Sequence, residues 1–209
     1  MKRITKAAAL AATGILALAP AAMAATYTVA VGGSTTSGTN AYTATTSAIS
    51  FDTNYGVPMT CSSGTAAGNI LRGTTFTPPA ATTVATITGT TWTGCIAPTL
   101  FNTQLNVTQV GTWNLKATSA PVNGVVSGTI TNVNAQVRSV INDRCEFDVS
   151  GSVAGSFNTN TQTLSINFSN NPLQITNVVG CFDEVQDGDL ADFDADYAVS
   201  TTGGNVTFQ

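Results

Sequence analysis

The densest group of chemically reactive side chains is an acidic run between residues 183 and 196. Seven of the eleven carboxylates of the chain lie in these fourteen residues, namely Asp183, Glu184, Asp187, Asp189, Asp192, Asp194 and Asp196. Oxygen atoms are the ligands that calcium prefers, and it takes about six to eight of them. Asp192, Asp194 and Asp196 repeat the first ligand spacing of an EF-hand, but Tyr197 stands where that loop requires glycine. The sequence therefore excludes an EF-hand and leaves Asp183, Glu184, Asp187 and Asp189 as a candidate weak calcium site; no other cofactor is predicted.

The second half of the acidic run also has a purely structural explanation. Asp192, Asp194 and Asp196 alternate with Phe193, Ala195 and Tyr197. Successive side chains of a strand point to opposite faces, so this pattern predicts a strand with a solvated acidic face and an apolar inner face. A row of like charges also discourages pairing at a sheet edge.

A hydrolase that uses the acidic run is the least favoured function. Glycosidases need paired carboxylates, one of which keeps its proton. A sugar cleft also needs aromatic platforms, and the two tryptophans, Trp92 and Trp113, lie far from the acids in sequence. Trp92 precedes Cys95 by three residues, as expected of a core anchor packed on a disulfide. If exposed, Trp92 or Trp113 would instead stack on a sugar ring or an apolar ligand.

Most catalytic mechanisms lack their usual groups in this chain. It contains no histidine, so a serine or cysteine nucleophile has no imidazole base. Beyond residue 24 the cationic side chains are Arg72, Lys116, Arg138 and Arg144. Nucleic-acid binding starts from a basic patch, so nucleic acid is excluded as a partner. We predict that the protein is not an enzyme.

The first 24 residues have the three regions of a secretory signal peptide. A basic start (Lys2, Arg3 and Lys6) precedes an apolar run over residues 7–19, and Ala22-Met23-Ala24 matches the small-residue cleavage pattern. Cleavage after Ala24 predicts a mature chain of residues 25–209 with no membrane span. The predicted location is extracellular or at the cell surface.

All four cysteines lie in the exported part, which predicts two disulfides. The cysteines Cys61, Cys95, Cys145 and Cys181 allow three pairings. Cys61–Cys95 with Cys145–Cys181 is the favoured pairing because each bond would close one half of the chain. A zinc site is excluded because the chain has neither a C-x-x-C spacing nor histidine.

Period-two alternation predicts an all-β domain over residues 25–209, an antiparallel β-sandwich or barrel of about ten short strands. The clearest hairpin runs from Cys145 to Phe168. A long strand over residues 125–137 is expected to bulge at Gly128. Residues 62–81 are expected to form a loop-rich excursion, and residues 206–208 a short last strand.

Several segments resemble a group of secreted actinobacterial all-β proteins of unassigned activity. The resemblance rests on Trp92-Thr93-Gly94-Cys95, on Gly111-Thr112-Trp113 and on residues 127–135, 145–157, 163–166, 173–181, 188–189 and 196–200. The group is similar, more distantly, to the secreted alkane-oxidation activator (PraB-like) family, a non-catalytic accessory of hydrocarbon use and biofilm surfaces. The resemblance implies a cell-surface or extracellular role without an active site. The acidic run departs from the pattern of the group.

The expected function is therefore non-catalytic binding outside the cell. The partner would be an apolar small molecule, a polysaccharide or the cell envelope itself, in support of hydrocarbon use or biofilm formation. The alternative is a surface or biofilm component that assembles into homo-oligomers, since weakly charged strands rich in threonine suit edge-to-edge packing and an N-terminal strand can be donated to a neighbour.

Overall fold

A computed structural model describes residues 24–141, 144–167 and 173–209. Within these ranges the chain forms sixteen strands and one short 3-10 turn at Cys181–Asp183. The strands are β1 (Tyr27–Val31), β2 (Gly38–Thr46), β3 (Ile49–Thr53), β4 (Pro58–Cys61), β5 (Ser63–Arg72), β6 (Thr75–Phe76), β7 (Thr82–Thr93), β8 (Cys95–Ala97), β9 (Thr103–Gln109), β10 (Trp113–Ala117), β11 (Val125–Ser139), β12 (Cys145–Asn158), β13 (Thr163–Ile166), β14 (Leu173–Gly180), β15 (Leu190–Thr201) and β16 (Val206–Phe208).

Thirteen of these strands form one closed antiparallel sheet. Four pairs of short strands follow each other across bends and act as single long strands: β2 with β3, β4 with β5, β7 with β8, and β9 with β10. Each of these long strands pairs with the one that follows it along the chain. The last of them pairs with β11, β11 pairs with β12, and β12 pairs with both β13 and β14. Finally, β15 pairs with β13 and β14 on one side and with β2 and β3 on the other. The predicted all-β antiparallel fold is confirmed, and the pairing closes it into an eight-stranded up-and-down barrel.

The three remaining strands cover one end of the barrel, which we call the upper end. β1 lies between β16 and β6, and Val29 and Val206 belong to the same apolar core as the barrel. Phe76 packs edge-to-face on Phe208 with ring centroids 5.5 Å apart, and Phe208 also meets Phe157 of β12. The predicted last strand is confirmed as β16, and β1 is paired on both sides within its own chain.

The lower end of the barrel is defined by four hairpin turns: β3–β4, β8–β9, β11–β12 and β14–β15. Buried side chains from three of these turns close it, namely Val57, Leu100 and Val185. Phe147, which is also fully buried, stacks on Phe51 at a centroid distance of 6.3 Å. The barrel interior is thus closed at both ends.

The expected loop at residues 62–81 is wrong, because half of it is strand β5 and two more of its residues form β6. Its alternate residues are small for a packing reason. A Cβ atom at Gly68 would overlap the backbone carbonyl of Thr86 and lie 3.0 Å from the ring of Tyr42. At Gly64 a Cβ would lie 2.6 Å from the Cδ1 atom of Ile49. Glycine and alanine have low strand propensity, but these inward positions need small residues because the backbone of β7 and the side chains of β2 and β3 approach β5 closely.

The substitution Gly68→Ala tests this close approach. Because the obstacle is backbone that cannot rotate away, we expect a loss of at least about 2 kcal/mol in the free energy of unfolding. Gly89→Ala is the matched control, since a Cβ at Gly89 meets nothing within 4 Å, and it should change stability by less than about 0.5 kcal/mol. Urea unfolding of both variants measures the difference; equal midpoints would contradict the packing described for β5.

The irregularity in β11 is not at the predicted Gly128. The register of β11 against β12 shifts between Ile130 and Val133, where Asn132 has a φ of 61°. Asparagine tolerates this left-handed backbone better than most residues. Gly128 is instead required by the close approach of the Lys116 carbonyl. The bulge places Ile130 and Val133 on the same inner face of the barrel.

The predicted hairpin is confirmed as β12 and β13, which pair from Gly155 with Ile166 to Asn158 with Thr163. Phe168, the expected end of the hairpin, lies outside the described residues, as do residues 1–23 of the predicted signal peptide. Among the residues that are described, no helix is long and apolar enough to cross a membrane.

Both predicted disulfides are confirmed. Cys61–Cys95 joins β4 to β8, and Cys145–Cys181 joins the start of β12 to the 3-10 turn. Cys145 and Cys181 are fully buried at the lower end of the barrel.

Candidate functional site

The barrel interior contains an apolar cavity of about 80 Å³ between its lower end and its middle. Every residue that lines it is apolar, and the large ones include Phe51, Met59, Trp92, Leu105, Trp113 and Phe193. These residues come from strands all around the barrel, because every strand turns its alternate side chains inward. We call this space the lumen cavity.

The two tryptophans form one wall of the lumen cavity. Their ring centroids are 6.1 Å apart at a tilt of 32°. The Trp92 Nε1–H donates to the hydroxyl of Tyr197 at 3.3 Å, and the Trp113 Nε1–H donates to the carbonyl of Asn134 at 3.2 Å. Burial raises the pKa of Tyr197 to about 12, against a small opposing effect of the bond from Trp92, so this hydroxyl stays neutral. With their polar ends bonded, both rings offer only apolar surface to the cavity.

Two smaller cavities, of about 50 and 60 Å³, lie in the upper half of the barrel beneath the three-stranded cap. Val84, Leu115 and Phe157 line both of these cavities. Ile130 lies between the lumen cavity and the cavity of about 50 Å³. Tyr42 lines the uppermost cavity, and its buried hydroxyl has no hydrogen-bond partner among the described residues. Burial raises the pKa of Tyr42, which keeps that hydroxyl protonated.

The size and chemistry of these spaces decide what they can hold. An apolar cavity of about 150 Å³ stays dry and binds benzene. The lumen cavity, at about 80 Å³, is too small for benzene by this measure. The two smaller cavities continue the apolar space past Ile130, so a narrow chain that extends from one cavity into the next fits better than a ring confined to one of them. A sugar is excluded from it, because desolvated hydroxyl groups would find no polar partner on an entirely apolar wall.

The predicted calcium ligands do not form a cluster. Asp187 and Asp189 accept hydrogen bonds from the backbone N–H groups of Val178 and Gln186, at 3.1 and 2.8 Å, and Asp189 is buried. These bonds fasten the β14–β15 turn, while Asp183 and Glu184 are exposed. Nowhere in residues 24–141, 144–167 or 173–209 do three carboxylates or thiols come together in a way that could hold a metal ion. The calcium site remains a prediction without structural support.

The remaining acids lie where the alternation on β15 predicts. Ala195 and Tyr197 are buried and Phe193 lines the lumen cavity, whereas Asp196 is exposed and Asp192 and Asp194 are half-buried. The acidic run is thus divided between a turn and the outer face of a strand.

The outer face of the barrel also carries an ionic cluster around Arg138. Its guanidinium lies 2.6 Å from a carboxylate oxygen of Asp148 and 3.4 Å from Glu146. Burial alone would raise the pKa of Asp148, but hydrogen bonds from Arg138 and Asn177, with the charge of Arg138, outweigh it and lower that pKa. This cluster faces away from the interior and stabilises the pairing of β11 with β12.

Two exposed aromatic residues at the lower end were not predicted from the sequence. Phe101 and Phe182 meet edge-to-face with centroids 5.1 Å apart, and they are 74% and 46% exposed. Both have left-handed backbone, with φ of 57° and 56°. With Arg144, Gly180 and Asp183 they border a surface groove of about 650 Å³. Each is a phenylalanine in a turn, outside the period-two alternation of the strands, and this position in the sequence could have identified it.

Comparison with known proteins adds no relative to this description. The chain matches no family model, no curated protein and no solved structure. The case for function therefore rests on the lumen and on the wall that encloses it.

Proposed function

We propose that the protein is a non-catalytic binding protein that holds a slender apolar molecule, such as a short unbranched hydrocarbon, inside the barrel. The observation that carries this proposal is the lumen cavity with its wholly apolar wall. Eight-stranded barrels are just wide enough to be filled by side chains or to hold one small ligand. Here side chains leave cavities along the interior, and the ligand would occupy them.

The predicted export of the chain supports a role outside the cytoplasm. The signal-peptide pattern of residues 1–24 predicts secretion, and two disulfides are typical of oxidising compartments. The resemblance to secreted accessory proteins of hydrocarbon use agrees with an apolar ligand and with the lack of an imidazole base. On this proposal the protein works at the cell surface or in the medium, and the polysaccharide ligand is not favoured for the barrel interior.

Filling the lumen cavity is the most direct test by mutation. Ala135 is buried and lines that cavity, so Ala135→Leu adds three carbon atoms to it. For the unmodified protein, n-pentane at a hundredfold excess over its Kd adds about 2.7 kcal/mol of stability. This gain should raise Tm by roughly 5–10 °C. We expect Ala135→Leu to abolish the shift without lowering Tm.

Ala198→Leu is the matched control, because Ala198 is exposed on the outer face of β15. This variant should keep the full pentane shift. Cyclohexane is larger than benzene and cannot extend from one cavity into the next, so it should leave the Tm of all three proteins unchanged. No pentane shift in the unmodified protein, or an equal shift in both variants, would contradict binding in the lumen.

A further inference from the structure

The wall of the barrel contains a long interruption in its backbone hydrogen bonding. β7 pairs with β10 up to Ile87, and β8 pairs with β9 from Cys95 onwards. Between these two paired regions, residues 88–94 face residues 106–112, and no backbone pairing joins the two segments. No other interruption between neighbouring wall strands is as long in the part of the chain that the structure describes. We call this opening between the two segments the wall slit.

The wall slit borders the lumen cavity. Trp92 belongs to the first segment of the slit and Val107 to the second, and both residues line that cavity. Trp113, which directly follows the second segment, lines the cavity as well. A molecule in the lumen cavity therefore lies against the inner side of the wall slit.

Two buried polar atoms belong to residues of the wall slit. The side chain of Gln109 reaches across the slit, because its Nε2–H donates to the carbonyl of Ile87 at 3.1 Å, and it also donates to the carbonyl of Gly111 at 2.8 Å. Its Oε1 atom is buried and accepts no hydrogen bond from any described residue, and the hydroxyl of Thr90 is likewise buried without a partner. Thr90 pairs with the buried Ala66, so its side chain lies on the inner face of the wall. Buried polar atoms are rarely left unbonded, so the pair indicates a ligand group that bonds to both.

The chemistry of these two atoms selects the ligand group. The Oε1 atom of Gln109 can only accept a hydrogen bond, whereas the hydroxyl of Thr90 can donate and accept. A ligand hydroxyl satisfies both, because it donates to Gln109 and accepts from Thr90. A carboxylate only accepts, and neither segment of the wall slit contains a cation to balance its charge. An ether or a ketone has no donor for Gln109.

We propose that the wall slit binds the hydroxyl group of a straight-chain primary alcohol whose alkyl chain lies in the lumen cavity. This proposal rests on the proposed function, because the alkyl chain occupies the same apolar space. A single hydroxyl in the wall slit avoids the penalty that an apolar wall imposes on a polar group, whereas the further hydroxyl groups of a sugar would not.

The test compares the apparent Kd of 1-pentanol, butyl methyl ether and n-pentane by thermal-shift titration of the disulfide-bonded protein. The alcohol and the ether are isomers, but only the alcohol donates a hydrogen bond, so its Kd should be lower by at least about tenfold. Gln109→Met and Thr90→Val should each raise the Kd of 1-pentanol by at least about tenfold and change that of n-pentane less than about twofold.

The matched controls are Gln104→Met and Thr108→Val, which make the same substitutions at exposed positions of β9. Neither control should change any of the three Kd values by more than about twofold. Thr90→Val also separates loss of binding from loss of folding. Because the Thr90 hydroxyl has no partner in the described chain, its removal should leave the Tm of the free protein unchanged or raise it.

The outcomes that overturn this proposal differ from those that overturn the proposed function. If n-pentane binds but 1-pentanol binds no better than the ether, the lumen site stands and the alcohol site in the wall slit does not. The same conclusion follows if Gln109→Met and Thr90→Val both leave the Kd of 1-pentanol unchanged. If neither n-pentane nor 1-pentanol binds the unmodified protein, both proposals are overturned.

Discussion

Removal of the Cys145–Cys181 disulfide is expected to lower the free energy of unfolding by about 3–4 kcal/mol. The bond closes a segment of 36 residues and restricts the unfolded chain accordingly. Cys145→Ala with Cys181→Ala avoids placing a polar hydroxyl at two fully buried positions. Urea unfolding without reductant measures the loss, and a change below about 1 kcal/mol would contradict a structural role for the bond.

The other disulfide provides a control of equal size. Cys61–Cys95 closes 34 residues, so Cys61→Ala with Cys95→Ala should cost a similar amount. The two double variants should therefore unfold at similar urea concentrations. A much larger loss in one of them would contradict an effect of loop closure alone.

Trp113→Ala should be even more costly, at about 3–5 kcal/mol. Trp113 is buried on the wall of the lumen cavity, so its removal enlarges that cavity. The carbonyl of Asn134 loses the indole donor but keeps the N–H of Val110 at 2.8 Å. The cost is therefore one of packing rather than of an orphaned polar group.

The enlarged space should accept a ligand that the unmodified protein rejects. Benzene is too large for the lumen cavity of the unmodified protein but should fit after Trp113→Ala. We expect benzene to raise the Tm of this variant and to leave the unmodified protein unchanged. Trp113→Phe, which retains most of the ring, should be destabilised less and should bind no benzene. A benzene shift in all three proteins would place the ligand elsewhere.

Local alternation was enough to predict much of the wall of the barrel. The β12–β13 hairpin and the outward acids of β15 follow from a period of two, which the pleat imposes on any strand with one buried face. The disulfide pairing followed from dividing the chain into two closed halves. The hairpin and the acidic strand are determined within short stretches of sequence, whereas the disulfide pairing used the order of the four cysteines along the chain.

The features that the sequence did not reveal depend on distant strands. The sequence of β5 resembles a loop because its glycines are required by the close approach of the Thr86 carbonyl and of the Ile49 side chain on neighbouring strands. The bulge of β11 lies at Asn132, a residue whose left-handed backbone has no consistent sequence signature. The roughly ten expected strands became sixteen because bends divide four long strands, and no local pattern reports that β15 returns to β2.

The candidate sites likewise include residues that the sequence identified and residues that only the folded chain reveals. Trp92 and Trp113 were singled out as anchors or ligand-stacking residues, and the barrel brings them to one cavity wall. The number of carboxylates in the acidic run suggested a calcium site, whereas Asp187 and Asp189 accept backbone hydrogen bonds that stabilise the β14–β15 turn. The contact between Phe101 and Phe182 was not predicted because the two residues come from separate turns that meet only in the closed barrel.

Quenching of tryptophan fluorescence by 1-bromopentane tests the central claim most directly. The two tryptophans of the chain both line the lumen cavity; Trp113 is buried and Trp92 is half-buried, so their emission reports chiefly on that space. Binding in the lumen predicts saturable quenching by bromopentane beyond the level that aqueous iodide reaches, and loss of the bromopentane effect in Ala135→Leu. Unsaturable quenching, or equal quenching in Ala135→Leu, would contradict a ligand site inside the barrel.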